Sequence, residues 1–131
     1  AEQYDQHHKD REMDAIVIDD MIVSGKSMLD VCKQLKERGA KRVFVFATFG
    51  LFSYGFEDFD AAYEKGYFEK IFTTNLIYQK KEMLDKEYYY SVNMNRYIAS
   101  AIDTLSKGES MHGLVRPERR IKEVIAEYKG K

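Results

Sequence analysis

The chain has 131 residues, 44% of them hydrophobic, which suits one domain with a real core. Its 21 basic and 22 acidic residues leave a formal charge of -1, which excludes the basic footprint of a nucleic-acid binder and a polybasic membrane patch. No run approaches the roughly 18 apolar residues of a membrane span, and a single cysteine excludes an internal disulfide. Together these predict a cytoplasmic protein with neither nucleic acid nor membrane as partner.

In chain order, "AEQYDQHHKDREMD" (1–14) is polar, with no apolar period and no secretion-signal core. It reads as a disordered leader, or as a chain that starts partway through something larger. His7 and His8 are adjacent, so their side chains diverge, and no further ligand stands at usable spacing; they read as solvated. "AIVID" (15–19) predicts a short, fully buried strand. "SMLDVCKQLKERG" (27–39) predicts a helix burying Met28, Val31, Cys32 and Leu35, with Gly39 as its C-cap. Cys32 on that face has no base near it in sequence and reads as an inert core thiol. "KRVFVFATF" (41–49) predicts a second buried strand. Strand, helix and strand within about 35 residues make a right-handed βαβ unit.

"GLFSYG" (50–55) reads as a loop, "FEDFDAAYEKG" (56–66) as a second helix, and "FEKIFTTNLI" (68–77) as containing the third strand. "QKKEMLDKE" (79–87) is a polar connection and "YYYSV" (88–92) an edge strand. "MNRYIASAIDTLSKG" (94–108) predicts a helix with Tyr97, Ile98, Ala101, Ile102 and Leu105 on one face. In the tail, Pro117 suits a helix start. The alternation predicts an α/β fold, a mostly parallel sheet with flanking helices, over 15–131.

The chemistry concentrates in "AIVIDDMIVSGKSM" (15–28). Ligands of a parallel sheet bind at the carboxyl ends of its strands, where this reading puts Asp19 and Asp20. The loop then turns into a helix whose first N–H groups, around Gly25 to Ser27, suit a phosphate. Gly25 permits close approach, Ser24 and Ser27 offer hydroxyls, and Lys26 adds a positive charge. "GKS" also closes the nucleotide P-loop motif, but that motif needs a glycine where Asp20 stands. Carboxylates beside a phosphate nest are consistent if the ligand has a hydroxyl-rich end as well. They accept hydrogen bonds from vicinal hydroxyls and hold Mg²⁺ directly or through water. A sugar monophosphate meets both demands.

"IVIDDMIVSGKSM" resembles the ribose 5-phosphate loop of the phosphoribosyltransferase fold, and more narrowly that of the ribose-phosphate diphosphokinases (phosphoribosyl pyrophosphate synthetases). The resemblance continues through "LKERGAKRVFVFATFGLFS", "IFTTNLI" and "YYYSVNMNRYIASAIDTLSKGES", from about Asp14 to Leu114. It implies a partial phosphoribosyltransferase-type, Rossmann-like domain in which Asp19 and Asp20 face the ribose hydroxyls and Val23, Ser24, Gly25, Lys26 and Ser27 wrap the 5-phosphate. It also implies Mg²⁺, at Asp19 and Asp20 and through water, ATP as co-substrate of the full-length parent, and a homo-oligomer. Diphosphoryl transfer from ATP to the sugar would then rest on positioning and charge neutralisation. Val23 departs from the acid that many members carry, and Lys26 from a small residue.

The family's chain is more than twice as long and carries ATP-binding segments, a pyrophosphate loop and a flexible basic loop, none of which precedes Ala15 here. The resemblance therefore predicts a C-terminal portion that holds the sugar phosphate, contains no catalytic residue of its own and is inactive alone, with exposed sheet edges that promote self-association. A catalytically silent regulatory homologue is the alternative. A phosphoacceptor receiver domain is a more distant one, since "RVFVFATF" does not end on the required aspartate.

Overall fold

The computed structural model describes residues 13–130, so His7, His8 and all of the polar leader except Met13 and Asp14 lie outside the described residues. The chain divides into two compact units between Asn93 and Met94. The first contains β1 (Ala15–Ile22), α1 (Lys26–Glu37), β2 (Val43–Gly50), α2 (Glu57–Glu64), β3 (Lys70–Thr74), α3 (Lys81–Leu84) and β4 (Tyr89–Val92). Its four strands are all parallel, in the order β1-β2-β3-β4. This is the α/β architecture expected from the alternating pattern.

An order that never reverses, combined with crossovers of one hand, puts the connecting helices on one face of the sheet. Register and burial agree. Ala15, Val43, Val45, Ala47, Ile71, Thr73 and Tyr89 form the covered face and are all buried. On the other face, Ile18, Phe46, Phe72 and Tyr90 stand in one cross-strand row. Phe46 and Phe72 stack at 4.6 Å between ring centroids, and Phe72 and Tyr90 lie 5.5 Å apart. Ile18 is 80% exposed at the end of that row. The expectation of a fully buried first strand is thus corrected: β1 is an edge strand, buried on one face only, and it runs on through both aspartates to Ile22.

The core joins the covered face to α1 and α2. Met28, Leu29 and Cys32 of α1 are buried, whereas Val31, expected inside, is 43% exposed. Successive residues turn 100° around a helix, so one strip holds Leu29 and Cys32 and turns Val31 outward. Phe52, Phe56, Phe59 and Phe68 fill the other end of the core. Between α2 and β4, the Asp60 carboxylate accepts hydrogen bonds from Lys86 Nζ and the Tyr88 hydroxyl, each at 2.7 Å. Burial alone would raise its pKa; these two donors outweigh that and hold it below the usual value. At the sheet's start, Arg42 grips Asp14 with two nitrogens, and the Lys41 N–H donates to the Met13 carbonyl. The last two residues of the expected leader are therefore part of the fold. α3 was read from sequence only as a polar connection.

The second unit consists of α4 (Asn95–Ser106), α5 (His112–Val115) and α6 (Glu118–Lys129). Pro117 caps α6, as its fixed φ favours. The Tyr97 hydroxyl donates to the Leu114 carbonyl at 3.2 Å, tying α4 to α5. The predicted apolar stripe of α4 exists, but Ile102 and Leu105 on it are exposed. No helix among the described residues is long and apolar enough to cross a membrane.

Cys32 is fully buried, and burial pushes its thiol up to about 11. As pH rises through the ordinary value of 9.0, the unfolded chain sheds this proton first, so stability falls until about pH 11. At pH 8 a thiol reagent should label the folded chain roughly 100-fold more slowly than the urea-unfolded chain; equal rates would place the thiol at the surface.

Candidate functional site

The site begins with the turn between β1 and α1. Gly25 caps α1 in the left-handed region, at φ 74° and ψ -2°. A side chain there is excluded twice. The dihedral disfavours any Cβ, and an added Cβ would lie 2.1 Å from Cζ of Phe59. The ring of Phe59 is buried and meets Phe52 edge-on at 4.9 Å, and Phe52 in turn meets Tyr89 at 6.1 Å. The turn therefore rests on a column of aromatic rings.

With Gly25 as the cap, the Leu29 N–H takes the Gly25 carbonyl at 2.8 Å, and the Lys26 N–H reaches Ser24 Oγ at 3.4 Å. The Ser27 and Met28 N–H groups have no acceptor among the described residues. They open at the positive end of a 12-residue helix. This end abuts a cavity of about 170 Å³ lined by Asp19, Met21, Ile22, Val23, Ser24, Gly25, Ser27 and Met28.

The structure thus brings together Asp19, Val23, Ser24, Gly25 and Ser27. Asp20 and Lys26 are not among the lining residues. Both aspartates lie inside β1, where neighbouring side chains point to opposite faces. Asp19 pairs in register with Ala47 on the covered face, and its Oδ1 accepts the Asp20 N–H at 2.8 Å. Lys26 borders a second, open compartment of about 420 Å³ together with Val23, Ser24 and Tyr54.

Tyr54 and its loop were read from the sequence only as a connection. The Leu51 and Phe52 N–H groups both donate to the Ile22 carbonyl, at 2.9 and 3.2 Å, and the Ser53 N–H donates to the Val23 carbonyl at 3.0 Å. The loop after β2 is thereby fastened along the loop after β1. Phe52 holds φ at 48°, an uncommon conformation for a bulky residue, and its buried ring anchors the turn. Two glycines, Gly50 and Gly55, bracketing this segment at the carboxyl end of a parallel strand were the available signal.

These features define a parallel α/β protein whose first strand-to-helix turn opens two unpartnered N–H groups beside a cavity that also holds one carboxylate. Residues 12–116 match the family model described as the phosphoribosyl synthetase-associated domain, and the chain belongs to that family. It is 33% identical over 101 residues to the ribose-phosphate pyrophosphokinase of Vibrio parahaemolyticus, covering 77% of this chain and 31% of the relative. It is 34% identical over 102 residues to phosphoribosyl pyrophosphate synthase-associated protein 2 of Homo sapiens, covering 78% and 27%. The chain thus spans about a third of the length of these curated relatives. Among solved structures, the phosphoribosylpyrophosphate synthetase of Mycobacterium smegmatis aligns with a TM-score of 0.63 at 21% identity, over 72% of this chain and 30% of that one; this likeness bears on the fold.

Gly25→Ala should lower unfolding stability by roughly 2–5 kcal/mol, from the left-handed dihedral and the clash together. In a double-mutant cycle, Phe59→Leu should recover part of that loss, because the shorter side chain makes room. Strict additivity in denaturant titrations would mean that the ring is not what excludes the Cβ.

Proposed function

We propose that this chain carries the ribose 5-phosphate-binding part of a ribose-phosphate diphosphokinase. The single observation that carries the reading is one small cavity holding two unpartnered helix-start N–H groups, two serines and one carboxylate. A phosphate accepts hydrogen bonds from Ser27 and Met28 N–H and from the Ser24 and Ser27 hydroxyls. The favourable end of the α1 dipole supplies the countercharge. The carboxylate of Asp19 accepts from a sugar hydroxyl. Held at both ends, the sugar presents its reacting hydroxyl in a fixed direction, which is the contribution that orientation makes to transfer.

In this reading Mg²⁺ and ATP belong to the reaction of the longer parent. Among the described residues no group of three or more His, Cys, Asp or Glu forms a metal cage. Asp19, which lines the cavity where Asp20 does not, is the residue that would hold such an ion. The ion neutralises developing phosphate charge when bound. The chain's own part is to grip and orient the acceptor sugar.

A second reading, a regulatory homologue without catalysis, is favoured by the similarity to phosphoribosyl pyrophosphate synthase-associated protein 2. Both readings keep the sugar phosphate, and they separate on turnover by the longer parent chain.

Titration with ribose 5-phosphate, followed by amide chemical shifts, should move Gly25, Ser27 and Met28. Ser27→Ala and Asp19→Ala should each weaken binding roughly 10-fold or more, the usual effect of removing a hydrogen bond to a charged group. Asp20→Ala should weaken it less. Equal affinity in the unmodified chain and all three variants would remove the turn from the reading.

A further inference from the structure

The last helix, α6 (Glu118–Lys129), stands outside the residues that match the family model, which end at 116. It has 12 residues, and none of them is buried. Ile121, Val124, Ile125 and Tyr128 are each between 46% and 79% exposed. Successive residues turn 100° around a helix, so these four fall in one strip, within about 60° of Ile121.

The charges beside that strip are ordered. Glu118 and Lys129 lie along one edge, at about 60° and 80° from Ile121, and Arg120 and Glu127 along the other, at about 100° and 120°. Each edge therefore carries one acid and one base, set well apart along the helix. Among the described residues Glu118, Glu127 and Lys129 have no ion-pair partner. Arg120 reaches only Glu123, at 3.4 Å. A strip with ordered, unspent charges on both edges is the pattern by which paired helices choose partner and direction.

We propose that α6 is a self-recognition surface, on which a second copy of this chain docks its own α6 antiparallel, apolar strip to apolar strip. A two-fold axis that packs two antiparallel helices face to face brings like edges together. Arg120 then meets Glu127 of the second copy, and Glu118 meets Lys129 of the second copy. The pairs 120 with 127 and 118 with 129 share one midpoint, between Glu123 and Val124, so a single axis forms both pairs twice. The apolar side chains alternate across that axis, with Val124 nearest to it. Lys122 approaches its own counterpart there, which is the one unfavourable contact. In a parallel pair each edge faces the opposite edge, and Arg120 stands between Glu118 and Lys122 of the second copy, with no net attraction. One helix per copy makes a small interface, at the weak and transient end of specific ones, so dimer and monomer exchange. The surface does not depend on a ligand at the β1–α1 turn.

Sedimentation equilibrium of the whole chain, from micromolar to millimolar concentration, tests this and should show a reversible monomer–dimer equilibrium. Arg120→Glu and Glu127→Arg should each weaken the dimer about tenfold, because two attractive pairs become repulsive, while circular dichroism shows the helical content unchanged. An equimolar mixture of these two variants should recover the dimer, since only a contact between copies lets one reversal compensate the other. Lys122→Gln should strengthen association. Mild oxidation should link Val124→Cys to its own copy and leave Tyr128→Cys unlinked, since that residue lies far from the axis. A monomer at every concentration would overturn the proposal, as would a dimer indifferent to both charge reversals. Equal linking at the two cysteine positions would mean parallel helices and overturn it too. A chain that stays monomeric yet cosediments with phosphatidylglycerol vesicles would assign the strip to an anionic lipid surface instead.

Discussion

The contact on which the rest of the site depends is the approach of the Gly25 backbone to the ring of Phe59. It sets how close α1 can come to α2, and so where the first turn of α1 opens. Phe59 is held by Phe52, and Phe52 by Tyr89, whose hydroxyl shares a hydrogen bond of 2.5 Å with Thr73 and accepts one of 2.6 Å from Gln79. A chain of packed rings thus runs from the β1–α1 turn to β3 and β4. Burying such a ring contributes about 1.5–3 kcal/mol, comparable to what a left-handed phenylalanine costs. The conformation of Phe52 is therefore maintained by its packing rather than by local preference.

The one-sided sheet divides the chemistry of β1. Residues alternating toward the helices, Ala15 and Val17, are apolar until Asp19, and β1 returns to the core at Ile22. The Asp19 carboxylate emerges where α1 begins, beside the serines. Asp20 does not border that cavity. Two adjacent acids that look like a single charged pair in the sequence thus have separate surroundings.

Much of this was legible beforehand. The βαβ order, the glycine-containing turn and the helix starting near Ser27 follow from apolar periodicity and backbone chemistry, which are local properties. The extension of β1 to Ile22 was not, because aspartates are poor strand formers and only pairing with β2 keeps them extended. The outward turn of Val31 and the exposure of Ile18 depend on which neighbours are present, and local sequence does not encode neighbours. Tyr54 was missed for a related reason. Its loop is placed by three backbone hydrogen bonds to a segment far away in the chain, and its own residue type announces nothing. Of the residues that the resemblance to the diphosphokinases named, Asp19, Val23, Ser24, Gly25 and Ser27 border one cavity, and Asp20 and Lys26 do not.

The strand order has a further consequence. In doubly wound sheets, the reversal of order separates two loops and creates a crevice with a wall on each side. Here the order runs from β1 to β4 without reversal, and the turn with the unpartnered N–H groups follows the edge strand. Within this unit the loop after β2 walls one flank, and the other flank is left to solvent. Two unit charges at 4 Å attract by about 1 kcal/mol in bulk water and about 4 kcal/mol near a protein surface. Whatever comes to lie along the free edge of β1 would therefore strengthen the field of the α1 N-terminus simply by displacing water. The electrostatics of such a half-walled turn are a property shared with its neighbour.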